Sequence, residues 1–533
     1  MTNKILKRKP LALLLAGITA SLFSSWVQSA TPPDTLVVAK NIEDVITLDP
    51  AEAYENSTSE ILNNAYSRLV RRDPKNPATI EGDVASTWKV SDDGKTFTFT
   101  IRPNEHFPSG RAITADDAVY SLRRVILLNK TPSFLLKTFG WDSKNILQNV
   151  YSDGNNVVVH IADSIASDLV LQILASAPGS VLDAKLLEEH TKNNDYGNGW
   201  LRTAWAGSGP FSIQTWQPKQ AIVLERNPTY FGDKAHLARI IFRHVADSST
   251  QALLLEKGDV DVANNLQPDQ LTKLLQNKHF TTVDTLRFTQ IYMPLNQTDV
   301  PLQNVKVREA LKWLIDYQGI EKNLLQGQWV EHQSFISIGQ PGALTENPFH
   351  LDVARARKLL DEAGYKNGFD LRMDVENAAP YPDIAQSIQS TFAQAGIRLK
   401  LVTSDRRQIV TEYRERKHQT ILWHASGSYN DPNVSASDFA YNVDNSANST
   451  NRNRAWRSNW INNNINQLTD KALHERDKAK RIAEYQQLQR EMWKVAPFIH
   501  LFQQKERLAI NTKVKNLITG PSDSTLYDEA IKQ

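Results

Sequence analysis

The chain contains no cysteine. Disulfides, thiolate metal sites and lipid attachment through a lipobox cysteine are therefore excluded. It has no apolar run long enough to span a bilayer. The most apolar stretch, Leu11 to Phe23, covers thirteen residues, against the ~20 that a spanning helix needs. An excess of one charge is also missing: 61 Lys and Arg oppose 59 Asp and Glu, a formal +2. Lys4, Lys7, Arg8 and Lys9 more than account for that surplus. The rest of the chain is slightly acidic, with no compositional signature of nucleic-acid binding. Glycine and proline, at 22 and 23 of 533 residues, exclude collagen-like and low-complexity fibres.

What is present is an ordinary globular composition, 41% hydrophobic and 23% charged, with twelve tryptophans. At ~150 residues per domain, the length implies two to four domains. The first thirty residues run from basic Lys4–Lys9 through the apolar stretch to the polar segment from Ser24 to Ala30. That is the order of a secretory signal peptide. Val27 and Ser29 suit the −3 and −1 positions, placing cleavage beside Ala30. An exported, unanchored, cysteine-free chain reads as a soluble protein of the bacterial periplasm.

Patterns of strand and helix alternate through the rest. Trp88 to Ile101 reads as a hairpin, with Phe97, Phe99 and Ile101 on one face and Asp93-Gly94 in the turn. Thr114-Ala-Asp-Asp117 has the form of a capping box opening a helix. Phe369, Leu371, Met373 and Val375 alternate, and a helical stretch from about Pro382 stops at Gly396. Ile397, Leu399 and Leu401 then alternate again, which makes a βαβ unit and an α/β region. Asp352 to Gly364 reads as a helix with an Asp N-cap and a Gly C-cap. The polar run Asn442 to Asn464 contains Trp456 and Trp460, which point to a packed excursion over a cleft or, equally, a long solvated loop.

Catalytic constellations are missing. There is no Gly-x-Ser-x-Gly elbow, and none of the twelve histidines forms His-Glu-x-x-His. Gly94-Lys95-Thr96 ends like a phosphate loop, but Lys89 stands where that loop requires glycine. Gly207-Ser-Gly-Pro-Phe211 fails the dinucleotide fingerprint at Ser212. Two suitably placed carboxylates would suffice for glycoside hydrolysis, so a hydrolase stays open by default. No cofactor or metal site is indicated.

Ala85-Ser-Thr-Trp88, Asp93 to Arg102, Phe107-Pro-Ser-Gly110 and Thr114 to Asp117 together resemble a known signature. It is that of the oligopeptide/dipeptide/nickel class (family five) of ABC-transporter solute-binding proteins. Further stretches match in order: Gly207 to Phe211 with Glu225 to Tyr230, Gly258-Asp-Val-Asp261, Asn304 to Leu311 with Ile315-Asp316, and Ala354 to Gly364. The resemblance implies a two-lobed periplasmic-binding-protein fold, α/β with mixed sheets, a hinge between the lobes and an extra subdomain in the first lobe. The expected division is a signal peptide at 1–30, lobe 1 at 31–292 with a subdomain at about 76–200, lobe 2 at 293–498, and a return to lobe 1 at 499–533. Crossings are expected near Ile291 to Asn296 and Pro497 to Gln504. Arg308 is read as lying on an exposed helix face. The implied partners are a small solute or peptide and an inner-membrane permease with its ATPase subunits. The protein itself is expected to be monomeric.

Peptide binders of that family hold the ligand ammonium with an Asp four residues before a Pro. Here the loop is Trp423 to Pro432, and that position is Ser428, a neutral hydroxyl. Asp431 is the adjacent candidate for the role, against a plain turn residue. Dipeptide-selective relatives place an Arg near the start of the helix after the Phe369 strand, but Ala379 to Asp383 has none. Both anchors of a free dipeptide are missing from these positions, which favours a longer or modified peptide held by its backbone. The alternatives are an opine, sugar conjugate or metal chelate, the last approached by His424, or a hydrolase on this scaffold. The candidate ligand-binding residues are Trp423, Ser428, Tyr429, Asn430 and Asp431, with Asp49 to Tyr54 facing them from the other lobe.

Overall fold

The computed structural model describes residues 31–533 apart from 450, 496, 523 and 524; the signal peptide expected at 1–30 lies outside them. Eleven strands form one mixed sheet and are numbered here in chain order. They are β1 Thr35–Lys40, β2 Phe211–Gln217, β3 Ala221–Arg226, β4 Arg239–His244, β5 Val262–Ala263 and β6 Phe280–Pro294. Then come β7 Trp329–Glu331, β8 Asp370–Glu376, β9 Arg398–Ser404, β10 Thr420–Ser426 and β11 Phe498–Asn511. The order across the sheet is β9-β8-β10-β6-β11-β5-β1-β4-β3-β2, with β7 on the side of β11.

Two long antiparallel strands, β6 and β11, therefore join the halves. Phe280 to Leu286 of β6 pairs in register with β11 on the first-lobe side, and Gln290 to Pro294 pairs on the second, with a one-residue shift after Ile291. Between Leu286 and Gln290 the ladder breaks. Buried backbone groups freed by such a break need other partners. Phe288 N donates to Pro521 O at 2.8 Å, and the Phe288 carbonyl accepts from Gly427 N at 3.2 Å. Gln503 Nε2 bridges the carbonyls of Arg287 and Ile338 at 2.9 and 3.0 Å. The break is thus hydrogen-bonded on both sides where the chain passes between the lobes.

The first lobe buries Leu36, Val38, Leu224, Ile240 and Phe242 against the helix Asn56–Ala65. Its inserted unit is a separate four-stranded antiparallel sheet with its own core. There the hairpin forms as its alternation predicts: Phe97, Phe99 and Ile101 are buried, and Gly94 takes φ 72° in the turn. Thr114 and Asp117 make both bonds of the capping box at the head of Ala115–Leu128.

In the second lobe the βαβ unit is present: β8 and β9 pair in parallel from Asp370↔Arg398 to Glu376↔Ser404, connected by Tyr381–Gln394. Ile384, Ile388 and Phe392 of that helix cover Leu371, Met373 and Val375 on one face. The helix Arg406–Arg414 covers the other face through Ile409 and Tyr413, with Trp423 and Tyr292. Asp352 caps Val353–Glu362 by accepting from Arg355 N, and Gly364 follows at φ 87°. Trp456 and Trp460 are both buried, so the polar run is a packed excursion.

Arg308 corrects an expectation. It is 6% exposed, not a surface residue. Its guanidinium donates to Val495 O at 3.0 and 2.7 Å and to the carbonyls of Leu302 and Gln303 at 2.8 and 2.9 Å. It ties off carbonyls around Val300–Gln303 and at the end of Lys478–Val495, a long-range role that a helical repeat does not disclose.

Candidate ligand-binding site

Strands β8, β9 and β10 run in parallel, so their carboxyl ends open at one edge, where open α/β sheets receive ligands. Five side chains gather there. Glu376 ends β8, and Trp423 and His424 lie near the end of β10. Tyr381 and Arg406 open the two helices that follow β8 and β9. The pairing Val375↔Leu422 sets Glu376, one step on, beside Trp423.

The polarity of this group follows from donor chemistry. Arg406 Nη2 lies 2.6 Å from His424 Nε2, and a guanidinium only donates, so Nε2 accepts. The ring proton is then on Nδ1, which donates to the Tyr381 hydroxyl at 2.8 Å. Burial, followed by the neighbouring Arg406 and Arg454, presses the His424 pKa down to about 3, so the ring is neutral. With both nitrogens engaged, His424 has no lone pair for a metal chelate. Among the described residues no group of three or more His, Cys, Asp or Glu is placed to hold a metal ion.

Glu376 is 7% exposed, and its Oε2 is buried without a hydrogen-bond partner. Burial raises its pKa, and Arg406 opposes the rise. Trp423 is buried, with the Arg406 guanidinium 5.7 Å from its ring centroid. On the same face Arg454 donates to the Tyr292 hydroxyl at 2.9 Å and is paired with Asp438.

Across the cleft stands Tyr54 of the first lobe, 41% exposed and edge-on to Phe134 at 5.5 Å. Its hydroxyl is directed at Ser428. Ser428 Oγ is buried and makes no hydrogen bond of ordinary geometry, so the approach is a loose one. The segment Asp49 to Tyr54 thus reaches the cleft through Tyr54 alone. Asp49 is fully buried and paired with Arg124, with Arg124 Nη1 at 2.7 Å from Oδ1.

The loop after β10 divides its residues differently from the sequence reading. Tyr429 is inserted into the core of the first lobe's inserted unit, where it is 3% exposed. It anchors lobe to lobe instead of forming a pocket wall. Asp431 lines the cavity between the lobes and receives both arms of Arg481, at 2.7 and 2.8 Å, and the backbone N–H of Asn433 at 2.8 Å. A carboxylate so engaged is not the open receptor that a ligand ammonium needs. Gln340 Nε2 steadies the loop from the carbonyls of Tyr429 and Asp431 at 3.3 and 3.2 Å. Asn430 keeps a buried, unpartnered Oδ1 and lines an inter-lobe cavity of ≈ 560 Å³. Lys478 pairs with Asp168 at 3.3 Å beside that cavity, and Arg476 nearby donates to Asp92 O at 2.9 Å. The lobes are in contact, with the cleft closed.

Sequence reasoning missed Glu376, Tyr381, Arg454 and Arg481. The groups around each come from other elements of the chain, and no local spacing signals them. Arg406 was noticed only as one of several arginines.

These features define a two-lobed binding protein that closes over its ligand. Residues 79–447 match the family model described as bacterial extracellular solute-binding proteins, family 5 middle. The chain belongs to that family. It is 30% identical to "Probable D,D-dipeptide-binding periplasmic protein DdpA" of Escherichia coli strain K12, over 95% of this chain and 96% of that protein. The glutathione-binding protein GsiB of Salmonella typhi is 25% identical over 91% of this chain and 92% of its own. Among solved structures, HbpA2 from Haemophilus parasuis superposes with a TM-score of 0.77 at 22% identity, covering 94% and 100% of the two chains. DppA from Helicobacter pylori, in complex with the peptide STSA, gives 0.77 at 21%, covering 93% and 98%. No described helix is long and apolar enough to cross a membrane.

Proposed function

We propose that the protein captures peptides in the periplasm and delivers them to an ABC permease with its ATPase subunits, acting as a monomer and without catalysis. The observation that carries this reading is the closed cleft itself. Tyr54 of one lobe meets Ser428 of the other, beside strand ends that present the exposed Arg406 and Glu376, whose Oε2 is buried without a hydrogen-bond partner. Closure excludes water and strengthens each polar contact to a ligand. Support comes from relatives named for a dipeptide and for glutathione along nearly the whole chain. Opine binders match as solved structures at 22% and 21% identity, below these two relatives, and the chelate reading loses His424 as a ligand.

The ligand face of this reading comprises Trp423, Ser428 and Asn430 with Glu376, Arg406 and Tyr54. Tyr429 and Asp431 hold the loop behind it. The lobes divide at the ladder break of β6, between Leu286 and Gln290, and the chain returns through β11 between Gln503 and Lys505, a few residues from the expected 292 and 498, and residues 1–30 are removed on export.

The test is native mass spectrometry of protein prepared from periplasm, followed by denaturation and identification of what is released. Peptides that raise the melting temperature when added back support the reading. A single non-peptide mass would overturn it.

A further inference from the structure

Arginines removed from solvent ordinarily meet a carboxylate, as Arg124 meets Asp49 and Arg481 meets Asp431. Arg72, half-buried in the short strand Val70–Arg72, does not. Its guanidinium donates to Gln172 alone, from Nε to Oε1 at 2.8 Å and from Nη2 to the backbone carbonyl at 3.1 Å. Burial, then the like charge of Arg68, lowers its pKa to about 9, so a second guanidinium stands close by. Arg68 is 6% exposed. Its Nη2 donates to Asn63 Oδ1 at 2.7 Å, and its Nε is buried without a hydrogen-bond partner.

Both side chains line one cavity of ≈ 70 Å³, where the inserted unit meets the rest of the first lobe. That is several times the ~15 Å³ that a single water needs. Four polar atoms of its lining residues are buried and unpartnered: the Tyr66 hydroxyl, Arg68 Nε, Arg71 Nε and Asp528 Oδ1. The Tyr66 hydroxyl is turned toward Ala206 and Asp49. Two N–H donors and one carboxylate oxygen are left for an occupant. The charges are unevenly matched. Asp83 acts on Arg68, and Asp83, Glu81 and Asp528 act on Arg71, but no acid acts on Arg72. Asp83 Oδ2 is already taken by Arg68 N at 2.7 Å, and Arg71 reaches Glu81 at 3.4 Å.

We propose that this cavity is a second binding site, for a small oxyanion that carries a proton, such as hydrogen phosphate or bicarbonate. Its oxygens accept from Arg68 Nε and from Arg72 Nη1, which Gln172 leaves unused. Its hydroxyl donates to Asp528 Oδ1. Sulfate, with no proton to give, would satisfy the arginines and set a like charge against an unpaired carboxylate, so the site rejects it. The occupant compensates Arg72 and ties the strand Val70–Arg72 to the C-terminal segment at Asp528. None of the residues of the ligand face lines this cavity, so the site is separate from the cleft.

The test titrates the ligand-free protein in chloride buffer with phosphate, bicarbonate and sulfate at matched ionic strength, read by calorimetry and thermal melting. Phosphate or bicarbonate is expected to bind one to one and to raise the melting temperature in a saturating way. The tighter of the two names the occupant, and sulfate should bind at least ~10-fold more weakly. Arg72→Gln should weaken the bound anion by ~10-fold or more. Asp528→Asn supplies a donor where the carboxylate stood, and should let sulfate bind as tightly as phosphate. No saturable binding of phosphate or bicarbonate, equal binding of sulfate to the wild type, or full affinity in Arg72→Gln would each overturn the assignment. If Arg72→Gln does not fold, the wild-type contrast with sulfate and its loss in Asp528→Asn decide the matter.

Discussion

Asp431 and Arg481 face each other in the second lobe as a bidentate pair, at 2.7 and 2.8 Å, with both side chains almost wholly buried. The pair fastens the loop after β10 to the helix Lys478–Val495. Removing one partner strands the other charge, so Asp431→Asn and Arg481→Met are each expected to cost about 3–5 kcal/mol. The double variant Asp431→Asn/Arg481→Met should recover part of that loss. Urea unfolding of the three variants measures it. Near-wild-type stability in both single variants would remove the structural role assigned to Asp431.

Tyr429 is the one aromatic of that loop planted in the core of the opposite lobe. Tyr429→Ala should release the lobes. The unliganded variant is expected to show a larger radius of gyration in small-angle scattering, and ligand affinity should fall because the closed state is less populated. An unchanged scattering profile would show that the lobes close without this contact.

Lys478–Asp168 spans the lobes in a more exposed setting. Lys478→Ala is expected to shift the open–closed balance by only roughly 0–1 kcal/mol, and less at high salt. Scattering at low and high ionic strength reads this, and a shift that grows with salt would contradict the pairing.

His418 is 2% exposed, with neither ring nitrogen hydrogen-bonded. Burial first, then Arg416 and Arg457, lowers its pKa to about 3. The folded protein therefore keeps the ring neutral, while the unfolded chain takes up a proton below pH ~6.5. The associated stability is complete above that pH and is lost as pH falls toward the folded value, at ~1.4 kcal/mol per pH unit. His418→Phe, which retains an aromatic ring against Tyr413, should flatten the fall between neutral pH and pH ~5. Glu331, raised to about 7 by burial and by Glu321, slopes the other way in this window. Only the difference between the two proteins is diagnostic, and identical slopes would sink the assignment.

Gly368, just before β8, has φ 70°, and a Cβ there would lie 1.9 Å from the carbonyl oxygen of Gly396. Gly368→Ala is expected to cost about 3 kcal/mol or more, by steric overlap and left-handed strain together. Gly258→Ala, at φ 78° with open space around it, should cost only about 1–2 kcal/mol. Comparable losses at the two sites would refute the close approach.

The elements whose signals are local were legible. Phe97, Phe99 and Ile101 marked the hairpin, Thr114 and Asp117 a helix start, and the alternation from Phe369 to Leu401 the βαβ unit. The loop from Trp423 to Pro432 was found through its resemblance to a family. The same signals could not assign jobs within the loop. Tyr429 and Asp431 read as ligand residues because they are an aromatic and an acid in the right segment. Arg308 read as exposed because its helix gave no hint of the carbonyls it meets.

The class of the protein is written in local pattern: secondary structure follows from the periodicity of side chains a few residues apart, and the ordered motifs identify the family. Tertiary structure decided which acid is spent and which is open. Arg481 lies fifty positions beyond Asp431 and occupies it, while β8 ends with Glu376 buried and unpaired beside Trp423. Whether a carboxylate is open to a ligand depends on which charges the folded chain brings to it, and those lie at separations that no local pattern encodes.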